Sequence, residues 1–481
     1  MIFAAARLFA LASIAAPAAA APDTLCLRDG RVIDGLPMTR EKDAILVKFK
    51  NGDVRVPEAM IQDVLLDAEA ATTTAAQSSA VKKRMEERRK YVEEVRSLAE
   101  WRNRRKETTK HFDFEYTVPP HVFHGFRDRM ESYFTEFSKM WSIKQPKDGR
   151  LLVCFYGDEE TFHQVSGAGY GILGYFRFVQ PLELDIYYDR QDVELTDEVM
   201  FHESNHYLQS LLNPGVNMPH FPGESLAEYY GGSKWDEQAK KLTVGLILDE
   251  RLAEVKTDID AGKMQALEEM LATERMYEHY TWGWSLVHFL MNQEKYAKKF
   301  QRFVTMLVSG GDVQREPFGL KGLMDVKAGE VLRVFMKCLD LKNKEALQAL
   351  EKEWHGYVRG KMQAVTPRGL EKAGMKVASS WPARPIKAKN LLQKAIDSGS
   401  TTAAAYDKLA GLYASEDQDF EKAIPLWRKA VELDPLAAVY YANLGHALTK
   451  KGQKDEGKKL IGLAKELDPD DPWLDLDLRV K

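Results

Sequence analysis

The chain has 481 residues, of which 44% are apolar and 29% charged, a balance that describes soluble globular material and is too long for one hydrophobic core. Its 68 basic and 72 acidic residues leave a net charge of -4. That value excludes a long-range field able to gather nucleic acid or an anionic membrane.

Residues 1–21 combine an early Arg7, an apolar run through Leu8–Leu11 and an Ala-rich end near Ala20. This is the pattern of a cleaved signal peptide, and its apolar part is shorter than the ~20 residues that cross a bilayer. The expectation is an exported protein, periplasmic or secreted, with no membrane span after cleavage. Cys26, Cys154 and Cys338 form no disulfide framework.

From residue 22 to 66 short apolar runs alternate with Asp29-Gly30 and Asn51-Gly52, which sit where hairpin turns belong. A small β-barrel-like module is expected there. Residues 67–110 read as a charged helical linker, with twelve Lys/Arg against six Glu between Val81 and Lys110. A solvated helix face is the plainer reading of that stripe than a contact with acidic polymer. Next come strands at Phe114–Val118 and Leu151–Tyr156 around an amphipathic helix from about His121 to Trp141, then strands at Tyr175–Val179 and Leu182–Tyr188. Gly169–Gly174 formally fits G-x-G-x-x-G, but a strand rather than a helix follows, so no dinucleotide site is expected.

Thr196 is placed as the N-cap of a helix free of Pro and Gly up to Leu212. This helix carries His202-Glu203-Ser204-Asn205-His206. Four-residue spacing puts both imidazoles on one face, where they can converge on a Zn²⁺ ion, while Glu203 beside the first can reach a water at the metal. A zinc site of that kind wants a third protein ligand, and Glu224 opens a second helical segment after two Pro-Gly turns.

The motif and Glu224, 18 residues after His206, resemble the gluzincin metallopeptidases, the thermolysin- and aminopeptidase-like clan, and most closely the peptidase-MA-like bacterial proteins. Phe221, Glu224, Ala227 and Tyr229 match that family's second motif, and Ser225 stands where it has Gly. The resemblance covers roughly His111 to Tyr357. It implies a zincin-like α/β metallopeptidase domain over 111–365, with His202, His206 and Glu224 as zinc ligands and Glu203 as general base. It also implies that Glu228, one turn on, orients a ligand imidazole. Tyr280, in a segment similar to the family's Tyr-x-x-x-Trp helix, would donate to the developing oxyanion. The strand at Leu182–Tyr188 would border the substrate cleft with a free edge. His220 and His288 are read as packed or surface residues.

Residues 366–481 carry a repeat, since Ala430–Pro435 recurs as Ala464–Pro469, 34 residues later. The period resembles tetratricopeptide repeats and implies a helical solenoid able to bind a protein partner. With fewer than three units, packing on the preceding domain is expected. The sequence thus reads as an α+β multidomain protein, an exported zinc peptidase acting on a peptide or protein. Two alternatives stay open: a catalytically silent zinc-fold scaffold binding through the repeats and the β module, and another zinc hydrolase.

Overall fold

The computed structural model describes residues 23–468, except 29–31, 67–68, 70–73, 75–76, 85, 88–89, 91–99, 144–149, 170–171, 180, 190–192, 237, 273–277, 320–321, 363–364 and 380–383. The leader expected at 1–21, part of the charged linker, the expected turn at Asp29-Gly30 and Pro469 fall outside these residues. The chain divides into two compact units: one is residues 95–373, and the other joins the N-terminal part, up to 94, to the C-terminal part from 374.

In the first unit, five strands order as β10-β11-β9-β8-β7, namely β7 (Arg105–Thr108), β8 (Phe112–Tyr116), β9 (Leu151–Tyr156), β10 (Gly174–Arg177) and β11 (Glu183–Tyr187). The sheet therefore begins ahead of residue 111, where the sequence placed its start. The charges of β7, Arg105-Lys106-Glu107, disguise it as linker although it pairs antiparallel with β8. The inner pairs β8–β9 and β9–β11 are parallel, and β10 returns antiparallel to β11. Period-two alternation gives the sheet two faces. Phe112, Phe114, Val153, Phe155, Leu184 and Ile186 enter the main core, while Cys154, Tyr156 and Tyr187 pack on the other face with Phe162.

Against the main core lie helix α1 (Pro120–Trp141), helix α3 (Val193–Ser210), which carries the histidine motif, and helix α4 (His220–Gly231); helix α2 (Glu159–Ser166) packs on the opposite face. On α3, Met200, Phe201, Ser204, Tyr207 and Leu208 are buried, and their spacing makes one continuous stripe. Thr196 is not the N-cap. The helix already starts at Val193, and the Thr196 hydroxyl accepts a hydrogen bond from the Asp189 N–H at 2.9 Å, so it ties down the approach to the helix.

The second unit holds two helix pairs, α5 (Ala403–Glu416) with α6 (Phe420–Leu433) and α7 (Ala438–Lys450) with α8 (Lys454–Leu467). The turn inside the first pair passes through Gln418 at φ 54°. The N-terminal strands form two three-stranded antiparallel sheets, β2-β1-β6 and β3-β4-β5, built from Thr24–Leu27 (β1), Val32–Asp34 (β2), Met38–Arg40 (β3), Ala44–Lys48 (β4), Asp53–Pro57 (β5) and Ile61–Leu65 (β6). Among the described residues they do not close into the expected barrel. Their apolar side chains Leu25, Ile45, Val47, Val54 and Val56 share one core with Tyr441, Ala442, Leu463 and Ala464 of the last helix pair. The turn at Lys50-Asn51 is held by Glu466, whose carboxylate accepts from the Lys50 N–H at 2.7 Å and from the Asn51 amide.

Close approach of α7 and α8 depends on Gly445, where a Cβ would stand 2.7 Å from the Gly457 carbonyl oxygen and 2.8 Å from Ile461. Gly445→Ala is therefore expected to destabilise this unit by about 1–3 kcal/mol, as overpacking does. Urea denaturation followed by Trp427 fluorescence reads the shift, and an unchanged midpoint would contradict the packing described.

Candidate metal centre

Helices α3 and α4 lie side by side, and polar groups in their interface fix the pairing. The Gln209 amide donates to the Gly223 carbonyl at 2.9 Å and to Asn205 Oδ1, while the Asn205 amide donates to the Tyr133 hydroxyl at 2.8 Å. Because Gly223 directly precedes Glu224, this bond sets the Glu224 carboxylate against the histidine face.

The result is a three-point cluster. His202 Nε2 and His206 Nε2 are 3.2 Å apart, and each lies 3.4 Å from Glu224 Oε2. Tetrahedral zinc with bonds of about 2.0–2.1 Å separates its ligand atoms by about 3.3–3.4 Å, so the three atoms fit three vertices of such a site. Glu224 Oε2 is buried and, among the described residues, has no hydrogen bond of good geometry, which fits a ligand oxygen facing a cation. His202, His206 and Glu224 are brought together as a potential metal-holding group, whereas His220 and His288 are not part of it. His288 is packed beside Tyr357, its Nδ1 3.1 Å from the hydroxyl, and burial lowers its pKa to about 4.

Glu203 points to the same space from the side of β10. Its Oε2 accepts a hydrogen bond from the Phe176 N–H at 3.1 Å, and burial raises its pKa against the opposing pull of His202 and His206. Strand and helix meet closely here because residue 174 is Gly, where a Cβ would stand 2.8 Å from Val199 and 3.1 Å from the Asp185 carbonyl. The free edge expected on Leu182–Tyr188 belongs instead to β10. The segment after β9 forms a hairpin whose first strand lies outermost, so β11 is paired on both sides.

Glu228 Oε1 lies 3.4 Å from His202 Nδ1, the nitrogen facing away from the cluster, which is where an orienting acceptor belongs. Glu228 is held in turn by a residue the sequence reading missed. Arg251, on helix Asp249–Asp260, donates from Nε and Nη2 to the two Glu228 oxygens at 2.7 Å each, and its guanidinium lies 5.5 Å from the Tyr280 ring centroid. Nothing in the local pattern of Arg251 marks it, since one Arg among the acids of an amphipathic helix reads as a surface charge.

Tyr280 sits in a π-helical turn, His279–Gly283, with its ring centroid 5.9 Å from that of His202. Burial and the nearby Glu224, Glu228 and Glu203 carboxylates push its hydroxyl pKa up, so at neutral pH it remains a proton donor. Ser225 donates to the His279 carbonyl at 3.0 Å and so anchors this turn.

Burial opposes a charged His202 imidazole, but Glu224 and Glu228 outweigh it and raise its pKa to about 10. Burial would also raise Glu224 and Glu228; His206 and His202 hold the first well below the usual carboxylate range, and Arg251 with His202 does the same for the second. The arrangement can keep two imidazole nitrogens and one carboxylate converged on a point, with a base beside it.

Residues 438–471, which span α7 and α8, match the model of the tetratricopeptide repeat. No curated protein matches the chain. Among solved structures the chain is similar to YrrB, described as a TPR protein with an unusual peptide-binding site, at 13% identity over 45% of this chain and 93% of that one, with a TM-score of 0.22. The C-terminal part of the chain thus carries a tetratricopeptide repeat.

Two outcomes test this site. Arg251→Met strips a buried carboxylate of its partner and is expected to cost about 3–5 kcal/mol, much of it restored by adding Glu228→Gln; equal instability of single and double variants in urea would contradict the pairing. The second concerns pH. In the metal-free fold, charged His202 stabilises fully below its unfolded value of about 6.5, and this is lost as pH rises toward about 10. Glu224 and Glu228 contribute above about 4.5 and lose that contribution as pH falls. The Tm of chelator-stripped protein should therefore peak between these limits and decline on the alkaline side, whereas zinc loading should remove that decline.

Proposed function

We propose that the chain is an exported zinc-dependent metallopeptidase. The observation that carries this reading is the convergence of His202 Nε2, His206 Nε2 and Glu224 Oε2 within 3.2–3.4 Å of one another, with Glu203 alongside. His202, His206 and Glu224 would hold the zinc, and Glu228 with Arg251 would fix the His202 ring and its tautomer. Bound there, zinc supplies a Lewis acid that polarises a carbonyl and brings the pKa of water toward about 7.

The remaining work falls to the chain. Glu203 takes a proton from the attacking water and returns it to the departing amine nitrogen, a role suited to a carboxylate whose pKa is raised. Tyr280 donates a hydrogen bond to the oxygen on which negative charge develops. An extended peptide would run beside the outer edge of β10, where Glu203 already holds the Phe176 N–H and the exposed Phe178 and Val179 offer apolar contact. The tetratricopeptide repeat supports a second role in protein binding.

Incubation of the full chain with a diverse peptide mixture, read by mass spectrometry, tests the reading. Cleavages should appear, vanish with a chelator, and fall by about 10²–10⁴ in Glu203→Gln, which should keep its zinc. Tyr280→Phe should lower kcat by about 10² with little change in KM. Absence of cleavage by zinc-loaded protein would leave the protein-binding scaffold as the better account, and equal cleavage by Glu203→Gln would overturn Glu203 as the base.

A further inference from the structure

On the face of the sheet that looks away from the candidate zinc site, β9 and β11 place a second donor set. Asp185 pairs in register with Cys154, and Glu183 lies two residues before it on the same face. Cys154 Sγ is 3.7 Å from Glu183 Oε1, and one donor atom from each of the three residues lies within 4.8 Å of the others. A thiolate and a carboxylate on one zinc-sized ion stand about 3.5 Å apart, close to the spacing seen.

Both carboxylates are already oriented from behind. Asp185 Oδ1 accepts from the Tyr156 hydroxyl at 2.8 Å, and Glu183 Oε2 is paired with Arg177. This leaves one oxygen of each. Glu183 Oε1 faces the thiol, and Asp185 Oδ2, on a fully buried residue, meets no N–H or O–H donor among the described residues, with the Glu183 carboxyl group the neighbour within hydrogen-bonding reach. Of the nearby bases, Arg104 and Lys106 pair with Glu115, and Arg177 pairs with Glu183 rather than with Asp185. A fully buried carboxylate with no cation in ion-pair contact is costly unless a proton or a metal cation joins it, and the neighbouring thiol makes this a donor set for the latter. Cysteine in the donor set favours a borderline-soft ion over calcium or magnesium.

We propose that Cys154, Glu183 and Asp185 form a second metal site that binds zinc or a zinc-like divalent cation, with Tyr156 and Arg177 positioning the two carboxylates. Binding displaces the thiol proton to solvent, and water completes the coordination. The site lies on the opposite side of the sheet from Glu203 and takes no part in the proposed hydrolysis, so it stands or falls independently of that reading.

Cadmium titration of the chelator-stripped full chain tests it, because a cadmium–thiolate bond gives a charge-transfer absorption that histidine and carboxylate ligands do not. The expected result is a band equivalent to one thiolate per chain, retained in the His202→Ala/His206→Ala variant and lost in Cys154→Ser. Asp185→Asn keeps the thiol and the shape of the site, and should weaken cadmium binding tenfold or more. No band in the wild type, or a band that survives Cys154→Ser, overturns the site. So does unchanged cadmium affinity in Asp185→Asn together with a higher Tm, the signature of two carboxyl groups that merely share a proton.

Discussion

Charge balance among half-buried and buried groups governs the first unit. Glu203, Glu224 and Glu228 bring three carboxyl groups into a space between α3, α4 and β10, while Arg251 is shared between Glu228 and the buried Glu254. Neutral imidazoles would leave that group with an excess of negative charge. In the metal-free fold a proton on His202 makes up part of the difference. A divalent cation at the point where the two Nε2 atoms and Glu224 Oε2 converge would offset it further, without placing any ligand out of reach.

The surrounding architecture keeps those charges from relaxing apart. The buried stripe of α3 is locked into the aromatic core by Phe201, whose ring lies 5.1 Å from Tyr133, and by Tyr207, 5.8 Å from Phe176. Across the helix pair, Gln209 stitches the turn before Glu224 to the turn after His206. Phe176 belongs to both systems, since its ring packs on the core while its N–H holds Glu203. Such rigid support is what a reactive centre needs, because a base or ligand that drifts by an ångström loses most of its effect.

Local periodicity made part of this legible in the sequence. The four-residue spacing of His202 and His206 has one meaning on a helix, and β8, β9, β10 and β11 fall on short runs rich in apolar and aromatic residues. Glu224 was reached through resemblance, with the geometry of the chain now placing it 3.4 Å from both imidazoles. What failed was what depends on order in space. Strand order does not follow chain order, so β10 rather than β11 is the outer strand. Arg251 lies 23 residues after Glu228, and only the folding of its helix against α4 and the Tyr280 turn reveals their ion pair. Thr196 has the chemistry of a cap, but a hydroxyl can serve the backbone before a helix as readily as the helix itself.

The second unit shows the same limit on a larger scale. Hairpin turns at the N-terminus and a 34-residue period at the C-terminus were each readable, yet neither pattern says that they share a core. Repeat pairs cannot bury both faces alone, and an array this short lacks a neighbour for its last pair. The two small sheets supply that neighbour. Leu25, Val47 and Val56 meet Tyr441 and Leu463, and Glu466 receives the backbone of Lys50 from 416 residues away. A barrel would have turned those same apolar side chains inward on themselves. Their open arrangement follows from the helical face they cover, which makes the N-terminal strands the cap of the repeat rather than a module in their own right.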